Sequence, residues 1–149
     1  MKHEKSTGLQ LYLTEAFKHQ QDYCQQLDEL RADLAKGELR RRDYLAMERL
    51  LQVLTGLCIG LAKHCLKHYQ NNAAADAYQT FSQLHLHGFI SANELGQWRQ
   101  IIGMRNGLVH DYLNIDINII RQVVAQGHYQ TLGAFCNKAI GFLRGNSAD

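Results

Sequence analysis

Three side chains in the second half of the chain carry groups suited to chemistry on a phosphate ester. Arg105 stays charged and can bind two phosphate oxygens at once. An imidazole such as that of His110 accepts or donates a proton near neutral pH. Asn106 precedes His110 by four residues, so a helix places both on one side, where the amide can orient the imidazole or a phosphate. This set can move protons and stabilise charge at a phosphate.

Helical periodicity predicts an unusual position for the Arg105 guanidinium. On an ideal wheel Arg105 falls among Trp98, Val109 and Tyr112, inside the apolar stripe, where a charged group needs a partner. His110 lies about 140° away, so a straight helix does not direct both groups to one point. Either the helix distorts near Gly107, or two copies of the chain combine these side chains across a two-fold axis.

Three glycines lie together on the same predicted helix. Gly96, Gly103 and Gly107 align on one side, flanked by Arg99, Asn106 and His110. Each costs about 1 kcal/mol of helix stability relative to alanine, which indicates a compensating role. Close approach of a second helix or a ligand would supply that role, and the alternative is that the glycines merely loosen or break the helix. We expect a dimer that forms through this face.

Helical spacing of apolar residues predicts two long helices in the first half of the chain. The first covers residues 9–34 and ends at Gly37, and the second runs from about residue 38 to residue 68. The second helix should direct these side chains to the core: Tyr44, Leu45, Leu51, Leu54, Cys58, Leu61, Cys65 and Leu66. Together the two helices predict an antiparallel hairpin.

Local signals predict shorter helices in the second half. One follows Asp76 through residue 84 and stops at Gly88, and Ser91 with Glu94 then forms a capping box for the helix that enters the motif. Apolar residues of that helix, Leu95, Trp98, Ile101, Ile102, Leu108 and Val109, are expected in the core. A short helix begins at Asn114 or Asp116 and reaches residue 124, residues 132–143 form the last, and residues 145–149 are expected to be a disordered tail.

Composition supports one helical domain that occupies the whole chain. With 149 residues, 46% of them apolar, the chain can bury a core, and the absence of proline favours uninterrupted helices. Four cysteines without a C-x-x-C spacing and an N-terminus without an apolar signal segment predict reduced thiols in the cytoplasm. Charged residues interrupt the apolar runs, so we expect no membrane insertion.

Other candidate sites are weaker. The net charge of +2 does not by itself indicate nucleic-acid binding, and the run Arg40, Arg41, Arg42 is more typical of a solvated helix face than of a substrate contact. His64 and His68 have the spacing of two zinc ligands, but no third ligand is evident, so surface histidines are expected and no metal site is predicted. Glycine-rich nucleotide loops and a G-x-S-x-G nucleophile motif do not occur.

The motif residues and their flanks carry a resemblance to a known family. Arg105, Asn106, His110 and Tyr112 form R-N-x-x-x-H-x-Y, which resembles the motif of HEPN-domain proteins, and within them the HepT-like toxins of HepT/MntA (type VII) toxin–antitoxin pairs. Three flanking stretches also resemble the sequence at the corresponding positions in that family: MERLLQ, AYQTFSQLHLHGFIS and LNID. The resemblance covers most of the chain.

The resemblance implies an all-α, HEPN-like antiparallel bundle with two long helices and three or four shorter ones. It also implies a cofactor-free, metal-independent endoribonuclease toxin with Arg105 and His110 as catalytic residues and Asn106 in support. The expected partners are RNA, an MNT-fold nucleotidyltransferase antitoxin and further copies of the chain, in a homodimer or a higher even oligomer. Tyr112 is the residue on which that antitoxin would place AMP.

Two other functions fit the same residues. In a non-catalytic HEPN subunit that binds nucleotide or substrate for a nucleotidyltransferase, Arg105 and His110 would hold a phosphate without cutting it. A plain interaction bundle would use neither residue for chemistry. Incubation with RNA in excess chelator distinguishes the nuclease from both alternatives. Nucleotide binding without cleavage would identify the non-catalytic HEPN subunit.

Overall fold

The computed structural model describes residues 2–37, 39–110 and 116–146, and all regular structure in these ranges is α-helical. The helices in chain order are α1 (Lys2–Lys36), α2 (Arg41–Leu66), α3 (Ala77–Leu86), α4 (Ala92–His110), α5 (Ile117–Ala125) and α6 (Tyr129–Asn146). This confirms the prediction of an all-α fold with two long helices and several shorter ones. The predicted tail at residues 145–149 lies partly outside the described residues.

Helix α2 is the centre of the bundle and contacts each of the other five helices. Apolar side chains form one broad side along its whole length, where Leu54, Cys58, Leu61 and other residues are fully buried. Helices α1 and α6 pack on it and on each other, whereas α3 and α4 cover another side. Burial of so much apolar surface is the main stabilising contribution to the bundle.

Helix α2 is also the described helix whose length and composition would allow it to cross a membrane. The apolar stretch is 56% buried against the rest of the chain, as expected for the core helix of a globular bundle. The test covers only the residues that the structure describes.

Glycines and caps define the helix boundaries near the motif. Gly88 has φ +84°, a left-handed conformation that costs glycine little, and it follows the end of α3. The Asp76 carboxylate accepts a hydrogen bond from the backbone N–H of Gln79 at 2.8 Å, which caps the start of α3. The Asp116 carboxylate caps α5 in the same way through Asn118, at 3.0 Å. These ends agree with the sequence prediction.

Two predicted core residues are exposed. Leu45 has 42% of its surface exposed and Val109 has 43%. Leu45 lies at the edge of the buried side of α2, next to the buried Tyr44, and Val109 lies in the last turn of α4. Helix α2 also begins at Arg41, three residues later than predicted, where the backbone N–H of Arg40 donates to the Asp43 carboxylate at 3.0 Å.

Candidate active site

Helix α4 carries the motif and is held at its start by the predicted capping box. The backbone N–H of Glu94 donates to the Ser91 hydroxyl at 3.1 Å, and the backbone N–H of Ser91 donates to the Glu94 carboxylate at 3.0 Å. Two unpaired backbone donors are thereby satisfied. The reciprocal pair fixes the residue at which α4 begins. Because successive residues are about 100° apart, it thereby helps to fix the direction in which each later side chain projects from the helix.

An aromatic cluster fixes α4 against the bundle. The rings of Trp98 and Phe81 stack with centroids 4.1 Å apart, and Phe135 of α6 meets the Trp98 ring edge-on at 4.9 Å. Trp98 is only 2% exposed and Ile102, one turn later, is 5% exposed. Since these residues define the buried side of α4, the opposite side faces away from the chain.

The glycine face is solvent-exposed in the single chain. Its members are all exposed side chains or bare backbone: Gly96, Arg99, Gly103, Asn106, Gly107 and His110. A Cβ atom added at Gly103 or Gly107 would meet nothing within 4 Å among the described residues. Helix α4 is continuous through Gly107, so the idea that the glycines break the helix is wrong. Packing within one chain does not explain these glycines.

Arg105 lies at the border between the buried side and the exposed side of α4. It is half-buried, and its Nη1 donates to the Asn106 carboxamide oxygen in a long hydrogen bond of 3.4 Å. No carboxylate in the described residues forms an ion pair with it. The guanidinium therefore reaches toward the side of α4 that carries Asn106 and His110, although its Cα belongs to the apolar stripe.

His110 is exposed at the end of α4 and is not in contact with Arg105 in the described structure. Since α4 does not distort at Gly107, the two residues keep the roughly 140° separation of an ideal helix. Asn106 stands between them, bonded to Arg105 and one turn before His110. One chain thus offers an open cluster of a cation, an amide and an imidazole rather than a closed pocket.

The stretches that flank the motif in the sequence build the surroundings of α4. In MERLLQ, Glu48 is 9% exposed, and its carboxylate accepts a hydrogen bond from the Gln52 amide. AYQTFSQLHL forms α3, which supplies the Phe81 ring, and the Asp116 of LNID caps α5. Tyr112, the predicted modification site, lies outside the described residues.

Arg121 connects α5 to the start of α2, a contact that the sequence reasoning missed. Its Nε and Nη2 donate to the Tyr44 hydroxyl at 3.2 and 3.1 Å, and the guanidinium lies 5.2 Å from the centre of the Tyr44 ring. The available signal was the single charged residue of helix α5. The three arginines at residues 40–42 are exposed close by in the chain, as expected for a solvated face.

Of the two histidines at positions 64 and 68, His64 is less exposed than predicted. His64 is half-buried beside the ring of Tyr12, with centroids 4.8 Å apart, and the prediction of a plain surface residue is wrong there. Burial and the nearby charges of Lys67 and His68 lower the pKa of His64. His68 is exposed, with its ring edge-on to Phe142. No group of three metal-binding side chains occurs in the described residues.

A hollow of about 300 Å³ lies on another side of α4. Gln97, Gln100, Ile101 and Met104 of α4 form one wall, and residues of α2, α5 and α6 form the rest. No sequence motif marks these residues, because glutamine on a helix surface is ordinary. The hollow is built from residues far apart in the chain, which α2, α4, α5 and α6 bring together.

The chemistry available to α4 is therefore local and exposed. A permanent cation can neutralise phosphate oxygens, and an exposed imidazole can exchange a proton with a bound hydroxyl. A single imidazole performs one proton transfer at a time, whereas phosphodiester cleavage through an internal hydroxyl needs a base and an acid.

Comparison with known proteins places the chain in a family. Searches of curated proteins and of solved structures found no significant match. A family model described as "Ribonuclease HepT-like" matches residues 20–139, which include all of α2, α3, α4 and α5. That match covers most of the chain and the entire described motif, so the chain belongs to the HepT-like ribonuclease family.

Proposed function

We propose that this protein is a metal-independent endoribonuclease that acts as the toxin of a HepT/MntA-type pair. The observation that carries the proposal is the exposed arrangement of Arg105, Asn106 and His110 on α4, in a chain of the HepT-like ribonuclease family. Their exposure leaves them accessible to a large substrate. Half-burial of Arg105 lowers the local dielectric, which strengthens its attraction to a phosphate.

In the proposed reaction His110 of one copy takes the proton of a ribose 2′-hydroxyl. The 2′-oxygen attacks the adjacent phosphorus, and the bond to the 5′-oxygen of the next nucleotide breaks. His110 of a second copy gives a proton to that leaving oxygen, and the product strand ends in a 2′,3′-cyclic phosphate. Arg105 stabilises the charge that develops on the non-bridging oxygens, and Asn106 orients the imidazole or the phosphate.

A homodimer follows from this need for two imidazoles, and the glycine face supports it. The face is open in one chain and lacks side-chain bulk, so a second α4 can approach closely. Across a two-fold axis both copies place the same residues at one centre. The proposed protein partner is an MNT-fold nucleotidyltransferase that silences the toxin by attaching AMP to Tyr112.

The first prediction tests the reaction directly. Arg105→Ala and His110→Ala should each lower RNA cleavage by about 10² to 10⁴-fold in excess EDTA, because each removes a chemical group. Helicity and melting temperature should hardly change, since His110 is exposed and Arg105 is only half-buried. Cleavage is followed on labelled RNA, and the product ends are identified by mass.

Matched controls are His19→Ala and Lys18→Ala, two exposed residues of α1. Both should cut RNA at the parent rate. Near-parent cleavage by His110→Ala would refute the catalytic assignment, and a strict magnesium requirement would refute the mechanism. Nucleotide binding by a parent protein that cuts no RNA would identify the non-catalytic HEPN subunit instead.

A further inference from the structure

The hollow beside α4 has the size and lining of a site for one planar ring. Its 300 Å³ is at the small end of ligand pockets, which hold about 300 to 1,000 Å³. The floor is apolar and rigid, because Leu51 and Leu132 are almost fully buried. Tyr129 is also part of the wall, and its hydroxyl donates to the Asp28 carboxylate.

Burial and the Asp28 carboxylate raise the pKa of Tyr129 to about 12, so this phenol stays neutral. Lysine, arginine and carboxylate side chains are absent from the described lining. Such a lining does not suit a phosphate, which needs cations or several N–H donors. It suits an uncharged ring with polar edges.

The rim supplies groups that can recognise such edges. Gln97, Gln100, His128 and Thr131 line the hollow and are exposed. Neither Gln97 nor Gln100 bonds through its carboxamide to another residue in the part of the chain that the structure describes. The His128 Nε2 atom is 2.6 Å from the Gln126 carboxamide oxygen. A free carboxamide offers a donor and an acceptor side by side, which is the pairing that glutamine makes with the amino group and ring nitrogen of adenine.

The position of the hollow connects it to the motif. Met104 in its wall is followed directly by Arg105 and precedes His110 by six residues, which is about 9 Å along the helix axis. Gln100 precedes His110 by ten residues, about 15 Å along the helix axis, so a base held at Gln100 lies a few nucleotides from a phosphate at His110. On an ideal helix Gln97, Ile101 and Met104 lie about 100° or more from Gly103, whereas Gln100 lies at the border between the hollow and the glycine face.

We infer that this hollow is a base-recognition site that takes an unpaired base of the RNA, with adenine preferred, close to the cut. The inference rests on the proposed function for its RNA source. Single-stranded RNA is generally recognised through splayed bases that enter such pockets. The cation and imidazole of the motif then handle the phosphate, and the neutral hollow selects the sequence.

The test measures binding without cleavage. The parent full-length protein is titrated against labelled 2′-fluoro hexamers of A, C, G or U, which lack the attacking hydroxyl. The A hexamer should bind most tightly, and Gln100→Ala should weaken it about tenfold while hardly affecting the weakest hexamer. Gln97→Ala should act in the same direction. An exposed glutamine of α3 gives the matched control Gln79→Ala, which should bind like the parent.

A second variant fills the hollow rather than removing a polar group. Thr131→Phe places a ring at the exposed rim and should reduce the preference for A while circular dichroism stays unchanged. Equal binding of all four hexamers by the parent, or an unchanged preference in both glutamine variants, would overturn the inference. Free AMP that competes as strongly as the A hexamer would overturn the RNA assignment and give the pocket to a mononucleotide.

Cleavage of natural RNA in EDTA is scored separately on the same preparations. A protein that discriminates among the hexamers but cuts no RNA would refute the proposed nuclease and leave the base site intact. A protein that cuts RNA with no base preference and binds all hexamers equally would support the nuclease and refute the base site.

Discussion

At the scale of single residues, α4 changes from buried apolar side chains to exposed polar ones within a few positions. Trp98 and Ile102 are buried, Arg105 is half-buried and His110 is exposed. Arg105 therefore lies where its alkyl stem can pack while its guanidinium reaches the exposed side, which resolves its unexpected place in an apolar stripe. The hydrogen bond from the Arg105 guanidinium to the Asn106 carboxamide oxygen is consistent with that arrangement, because Asn106 is exposed.

A second prediction concerns Tyr112, two residues after His110 in the sequence. Co-expression with the cognate nucleotidyltransferase should add one or more adenylyl units to the phenol. The added phosphate would compete with RNA for Arg105, so cleavage should fall without unfolding. Tyr112→Phe should keep RNase activity and escape the silencing. Intact-mass and peptide analysis decides the point: an unmodified Tyr112 in fully silenced protein would contradict it.

A third prediction concerns the pH dependence of stability at His64. Its pKa is lowered in the folded state, so the unfolded chain binds more protons as pH falls below the ordinary histidine value of 6.5. Folding should lose stability in that range, and His64→Gln should reduce the loss because a neutral amide does not titrate. The comparison uses urea midpoints at pH 7.5 and 5.5.

The matched control is His19→Gln, at an exposed position on α1. It should keep the acid sensitivity of the parent. If His64→Gln and the parent lose the same stability on acidification, burial beside Tyr12 does not disfavour the charged imidazole.

At the scale of elements, α4 is a helix with one packed side and two open ones. The capping box and the Trp98 cluster fix its start and its rotation, and the hollow and the glycine face then point in different directions. Helix α5 is held separately, through Arg121 and the Tyr44 hydroxyl at the start of α2. The motif thus lies on a helix that the bundle orients but does not cover.

A fourth prediction follows for the glycine face. Gly103→Leu should stabilise α4 within the single chain by about 1 kcal/mol, because leucine is a better helix former and its Cβ meets no neighbour within 4 Å, so a fall in melting temperature would come only from the lost dimer contacts. The same variant should lose dimerisation and RNA cleavage, because the leucine keeps a second α4 away. Sedimentation velocity and thermal melting give the two readouts.

Gly141→Leu is the control, since Gly141 is an exposed glycine of α6 with equal space around it. It should gain similar stability and keep both the dimer and the activity. A parent protein that is monomeric yet fully active would eliminate the proposed role of the glycine face.

At the scale of the whole molecule, the proposed active site belongs to two chains. A single chain has one His110, which is separated by rotation from its own Arg105. The fifth prediction uses mixed dimers, purified with two different tags from cells that express the parent and His110→Ala together. A mixed dimer should have far less than half of the parent activity, because its single centre lacks one of the two imidazoles.

The corresponding dimer of parent with His19→Ala should be fully active. Half of the parent activity in the parent and His110→Ala dimer would mean that each chain builds an independent site. That outcome would leave the nuclease in place and remove the shared centre.

The sequence by itself determined the features that depend on neighbours in the chain. The end of α3 near Gly88 and the start of α4 at Ser91 were predicted, and Asp116 was one of two predicted starts of α5, because caps and left-handed glycines act within a few residues. The placement of Asn106 and His110 on one side of a helix with the glycines has the same origin, since it requires only helical periodicity.

Only the tertiary structure decided what depends on segments far apart in the chain. Exposure of Leu45 and Val109, burial of His64 beside Tyr12 and the hollow beside α4 could not be predicted, because each depends on where another helix ends or crosses. A hydrophobic pattern specifies which side of a helix is apolar. It does not specify how far along that side a partner extends, which is set by interhelical packing.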